Sequence, residues 1–246
     1  MLAISLHDGA AMNSGDRKRI GLLALAGAVF TAAPAFAHGI SGKDATYVAE
    51  SAGAEIVPFL YLGAKHMVTG YDHLLFILGV IFFLYRLKHV VIYVTMFSLG
   101  HSITLLTGVL ANIKVDPYLV DAMIGLSVVY KALDNLGAFK TWFGAAPDAR
   151  IAVLGFGLVH GFGLATKLQA LNLSKDGLLA NMISFNVGVE LGQLLALGVM
   201  LAVMIWWRGQ RGFEKQAVFA NAAIMAAGFL LTGFQLAGYF VQGQTA

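Results

Sequence analysis

Apolar runs of about twenty residues recur along the chain and are separated by short polar stretches rich in glycine, proline and charge. Six of them, at roughly 70–86, 90–110, 117–139, 151–171, 179–207 and 217–241, approach or exceed the ~20 residues that a helix needs to cross a bilayer once tilt is allowed. Backbone N–H and C=O groups cannot stay unpaired in lipid, so the pattern predicts helices. Residues 51–66 are amphipathic enough to lie along the interface or to lengthen the first span. The longest connection, Lys140 to Arg150, is about ten residues, which leaves no room for a soluble domain. Any chemistry must therefore sit in or beside the membrane.

A shorter apolar run, Ile20 to Ala33, follows Arg17, Lys18 and Arg19 and leads to Ala35-Phe36-Ala37. Basic cluster, short apolar core and small-x-small end make the pattern of a cleavable signal peptide, with cleavage after Ala37 and His38 as first mature residue. Residues 1–11 fit no part of a signal, and Met12 is a candidate true start. The expected organisation is thus an all-α integral membrane protein. It comprises a signal peptide over 1–37, a periplasmic segment with an interfacial helix over 38–69, and a domain of about six transmembrane helices over 70–246.

Composition agrees: 59% of residues are hydrophobic and 12% charged, against about 45–50% and 25% in an average soluble chain. The net charge of +3 comes from basic residues dispersed between spans, with no run that would track nucleic acid. Their distribution sets orientation. With the mature N-terminus outside, seven basic residues fall in inner loops (Arg86, Lys88, Lys140, Arg150, Arg208, Arg211, Lys215) and four outside (Lys43, Lys65, Lys114, Lys175). In a diderm bacterium this expects an inner-membrane protein with both termini periplasmic. There is no cysteine, so a metal ion would have to be held by imidazole, carboxylate, carbonyl or thioether.

Such ligands interrupt the apolar runs. The first begins His66-Met-Val-Thr-Gly-Tyr-Asp72-His73, although an ionisable group at the bilayer centre costs on the order of 3 kcal/mol. Placed by helical rise, Asp72 and His73 fall in the outer third of the first span, with His101 and His160 near the middle of the second and fourth. Asn186 and Glu190 share a face of the fifth, with Gln193 close to it. Lys131, Asp134 and Asn135 lie deeper on the third, and Lys167 is expected to snorkel. Any one of these residues alone is explained by packing or by pairing within its own helix. Several at one level, Asp72, His73, His101, His160 and Glu190, are better explained as metal ligands, with His66 as an outer station, Ser102, Lys131, Asp134, Asn135, Asn186 and Gln193 as supporting polar groups and His38 as an N-terminal ligand. Glu190 would add negative charge at a low-dielectric site. On a straight helix His66 and His73 stand about 10 Å apart along the axis, too far to share an ion, unless Gly70 breaks the helix. One internal echo, F-x-L-x-H, occurs at Phe97–His101 and Phe156–His160.

At these residues the sequence resembles a family. His66-x5-Asp72-His73 is similar to the H-x5-D-H signature of the HupE/UreJ hydrogenase and urease accessory membrane proteins. Gly100-His-Ser-Ile-Thr-Leu105, Val159-His-Gly-Phe-Gly163 and Asn186-Val-Gly-Val-Glu-Leu-Gly-Gln193 look like its divergent second branch. The resemblance implies a cleaved signal, a helical bundle and permeation of a metal ion, usually nickel or cobalt. Met67 replaces a proline common after the first histidine, and His160-Gly161 lacks the second histidine and the glutamate of the nickel-linked branch, which leaves the metal open among nickel, cobalt and zinc. Two functions follow, with a structural or assembly subunit whose polar residues bind partner helices as a third reading. One is a divalent-metal permease in the lipid bilayer, working with accessory or metalloenzyme-maturation partners yet to be identified. The other is an intramembrane zinc-dependent hydrolase acting on a lipid or membrane-embedded substrate, with Glu190 as general base and Ser102 assisting.

Overall fold

The computed structural model describes residues 42–171 and 173–243; the expected signal segment 1–37, Met12 and His38 lie outside the described residues. Every regular element among the described residues is a helix. They are α1 Lys43–Glu50, α2 Ile56–Thr69, α3 Tyr71–Ile81, α4 Leu87–Leu110, α5 Pro117–Asn135, α6 Ala138–Phe143, α7 Ala149–Gln169, α8 Leu178–Arg208 and α9 Phe213–Gly243. Four are long and apolar enough to cross a membrane: α4, α7, α8, and α9 over Phe213–Val241. α5 carries Asp121, Lys131 and Asp134 among its apolar residues, and α3, with 11 residues, is too short by itself.

Helix starts follow local chemistry. The Asp116 carboxylate accepts the N–H groups of Tyr118 and Leu119, with Pro117 in the first helical position, and the Asp148 carboxylate accepts that of Arg150. The later helices begin and end within a few residues of the apolar runs. The first does not. Instead of one span over 70–86, the chain forms α2 and α3, separated at Gly70, whose extended backbone (φ −75°, ψ 96°) cannot continue the helix. The helical apolar pattern begins at Ile56, ahead of the expected run. α2 and α3 both run alongside α8 and in its direction: Asn181 binds the backbone of Gly53 and Glu55, Ser184 donates to the Ile56 carbonyl, and Arg208 reaches Ile81, Phe82 and Leu84.

Three helix pairs make up most of the packing, α2 with α8, α4 with α7, and α5 with α9. Each is closed by glycines that let backbones touch. A Cβ at Gly192 of α8 would lie 2.6 Å from the Ala64 carbonyl oxygen of α2. One at Gly100 of α4 would lie 2.5 Å from the Leu154 carbonyl oxygen of α7, and one at Gly125 of α5 would lie 2.5 Å from Thr232 Oγ1 of α9. Lipid offers no hydrophobic drive for helices to associate, so close van der Waals contact and interhelical hydrogen bonds must hold them. The hydrogen bonds are present: Thr104 to the Leu158 carbonyl (2.7 Å), Gln169 to the Gly108 carbonyl (2.6 Å), and Ser98 to Gln193 (3.0 Å), which ties α4 to α8.

The short helix α3 sits among these pairs, touching α2, α4, α5, α8 and α9. A helix end leaves carbonyls unpaired, and here protein groups satisfy them. Asn135 Nδ2 donates to the Gly79 carbonyl (2.8 Å), and the Arg208 guanidinium donates to those of Ile81, Phe82 and Leu84, placing a cation at the negative end of the helix dipole. At the other end Asp72 occupies the first turn of α3, where the dipole favours an anion.

Candidate metal-transit site

The break at Gly70 builds the site. His66 closes the last turn of α2 and His73 opens α3; the turn between them replaces the ~10 Å separation of a straight helix with ring centres 5.3 Å apart. His73 then lies 5.8 Å from His101 on α4 and 4.9 Å from His160 on α7. His101 and His160 are brought level by the glycine contacts of their own pair, since Gly161 sits against the His101 carbonyl. Two imidazoles that share a tetrahedral ion, with metal–nitrogen bonds of about 2 Å, have ring centres roughly 5 Å apart. His73 holds all three neighbours near that spacing, although among the described residues no group of three or more donors is placed to hold one ion together.

Burial and hydrogen bonding orient the donors. Asp72, His73, His101 and His160 are each 1% exposed and His66 is 7% exposed. His73 Nδ1 faces Asp72 Oδ1 at 3.1 Å, the carboxylate–histidine arrangement that fixes ring orientation. His160 Nδ1 lies 2.7 Å from the Phe156 carbonyl. A carbonyl only accepts, so Nδ1 carries the hydrogen and Nε2 of the neutral ring bears the lone pair. Neither ring nitrogen of His101 is hydrogen-bonded among the described residues. A buried carboxylate beside imidazole nitrogens favours a cation, and the low dielectric strengthens that preference.

The remaining expected residues divide. Asn186 and Gln193 are buried on α8, Gln193 bridging to Ser98 and to the Val94 carbonyl of α4. Glu190 is exposed. It stands about 40° further round the helix than Asn186, and that rotation carries it onto the outward face with Val187, Leu191 and Leu194, away from the histidines. Ser102 is half-buried on the flank of α4. Lys131 pairs with Asp134, and Asn135 binds Gly79 and Asn221, all near the far end of α3.

Two features escaped sequence reasoning. Lys167 does not snorkel: its ammonium binds both carboxylate oxygens of Asp121 on α5, at 3.0 and 2.8 Å, within the bundle. The partners are 46 residues apart on different helices, so no local spacing signals them, and together they are neutral. The second is a cavity of about 400 Å³ lined by Val80, Phe83, Leu84, Tyr93, Lys131, Asp134, Asn135, Ala149 and Val153.

Comparison with known proteins places this geometry in context. A search of curated proteins and a search of solved structures each returned no match. A family model described as HupE / UreJ protein matches residues 42–243, a range that takes in every helix among the described residues and all four clustered histidines. Its extent and the four apolar helices identify the chain as a multi-pass membrane protein of the HupE/UreJ family.

Proposed function

We propose that the protein is a permease for a divalent transition-metal ion, with nickel and cobalt as the favoured cargo and His66, Asp72, His73, His101 and His160 as the ligands along its path. The observation that carries this is the gathering of four buried imidazoles and a carboxylate from α2, α3, α4 and α7, residues up to 94 positions apart, around His73. Imidazole and carboxylate suit nickel, cobalt and zinc. A discontinuous helix whose break, with its carbonyl-bearing C-terminal half-end, lies beside a cation site is a recurring transporter device, and α2–α3 has that form, with Asp72 at the start of α3. In this account α2 and α3 together make one broken crossing, α4, α5, α7, α8 and α9 make five more, and the protein sits in the inner membrane with both termini periplasmic. Glu190 is left out of the ligand set because it faces outward.

Acid should weaken binding, because an imidazole must be neutral to hold a metal ion. Titration calorimetry of purified protein with Ni²⁺ or Co²⁺ is expected to show affinity falling as the pH is lowered while the protein stays folded. Affinity that is unchanged down to the pH at which the fold is lost would exclude imidazole ligation.

A further inference from the structure

The F-x-L-x-H echo acquires a meaning that ligand binding does not use. Phe97 and Phe156 precede His101 and His160 by four residues on α4 and α7, whereas on α3, which runs the opposite way, Phe76 follows His73 by three. Each helix therefore carries a phenylalanine about one turn from its histidine, and all three are displaced in the same direction. Their rings meet: Phe76 lies 5.3 Å from Phe97 and 5.6 Å from Phe156. They also close against the imidazoles, with Phe97 5.0 Å and Phe76 5.5 Å from His160. Phe76 and Phe97 are 1% and 2% exposed.

One turn further along the same three helices stand Val80, Tyr93 and Val153, which line the cavity of about 400 Å³ together with Lys131, Asp134 and Asn135. On α3, α4 and α7 alike the order is imidazole, phenylalanine, cavity wall. A cavity whose largely apolar wall carries Lys131, Asp134 and Asn135 is thus separated from the histidine site by a single layer of aromatic rings.

We propose that Phe76, Phe97 and Phe156 form an aromatic barrier between the histidine site and this cavity, which determines which ions pass. The inference rests on the permeation proposed above. An apolar constriction sheds water, so a hydrated Na⁺ or a proton-carrying water chain finds nothing in the layer to replace its hydrogen bonds or its hydration shell. A transition-metal ion differs because imidazoles at the edge of the layer replace its waters before it enters. The cavity beyond, with the mutually neutralised Lys131–Asp134 pair and the Asn135 amide on its wall, can rehydrate the ion.

The test uses full-length protein in liposomes, with Na⁺ and proton leak measured under imposed gradients alongside Ni²⁺ uptake. Phe97→Ala is expected to raise the leak at least tenfold over wild type while calorimetric Ni²⁺ affinity stays within about threefold, and Phe97→Leu, which keeps the layer apolar, should leak as little as wild type. Phe76→Tyr retains the ring and the fold while adding a hydroxyl to the layer, so it should also leak if the alanine variant does not fold. Folded Phe97→Ala or Phe76→Tyr protein that takes up Ni²⁺ yet leaks no more than wild type would overturn the barrier alone. Wild-type liposomes that take up no metal ion would overturn the permeation on which it rests, whatever the leak.

Discussion

Replacing His73 by alanine is expected to abolish metal-dependent accumulation, by at least about tenfold, while the protein remains folded. Loss of a metal-orienting outer group alone typically costs ten- to a hundredfold, and His73 is more central than that. Its ring is 5.3, 5.8 and 4.9 Å from the rings of His66, His101 and His160 and it is the partner of Asp72. Without it the remaining imidazoles are no longer bridged. The matched control is His89→Ala, at an exposed position in the first turn of α4, which should transport like wild type. Uptake assays on both variants, each with a thermal melt in detergent, check this. Wild-type uptake by the His73 variant would remove α3 from the path, and equal loss in the His89 variant would show that the assay follows expression instead.

The second large effect concerns the fold. Gly125→Ala is expected to destabilise the bundle and Gly233→Ala to leave it unharmed or slightly stabilised, although both replace a helical glycine by the same methyl group. At Gly125 the new Cβ would come within 2.5 Å of Thr232 Oγ1 and 3.0 Å of the Gly228 carbonyl oxygen, forcing α5 and α9 apart; at Gly233 nothing lies within 4 Å. Overpacking costs about 1–3 kcal/mol, whereas alanine in an open helical position gains up to about 1 kcal/mol over glycine. The propensity gain is common to both, so the two variants should differ by the overpacking cost, roughly 1–3 kcal/mol. Thermal unfolding in detergent measures the difference, and equal melting of the pair would refute backbone contact as the basis of α5–α9 packing.

The sequence was most legible where one physical variable dominates. Hydropathy alone locates α4, α5, α7, α8 and α9, because a helix facing lipid must be apolar along most of its length. It does not show that residues 56–81 form two helices, because a lone glycine inside an apolar run does not announce whether it bends the chain; Gly70 does so with α8 alongside and the C-terminal end of α3 capped by Asn135 and Arg208. The histidines were legible as costly residues inside apolar runs, and the structure brings His66, His73, His101 and His160 together. Glu190 carried the same signal and lies outside the cluster, since a rotation of about 40° decides which face a residue occupies and that rotation is set by packing against α2. Asp121 and Lys167 neutralise each other across two helices, and nothing in either helix alone records the pairing. The phenylalanine layer was visible as a short repeated spacing, but its meaning needed the antiparallel course of α3, which places Phe76 beside Phe97.

The central claim is that a divalent metal ion crosses the bundle through the histidine site. It is tested most directly by purified wild-type protein in sealed liposomes loaded with a metal-sensitive dye, with Ni²⁺ or Co²⁺ added outside and His73→Ala liposomes in parallel. The account predicts saturable entry of the ion in wild type, lost in the variant. Entry no faster than in protein-free liposomes would contradict it, and the same preparation hydrolysing lipid in a zinc-dependent manner would assign these residues to catalysis instead.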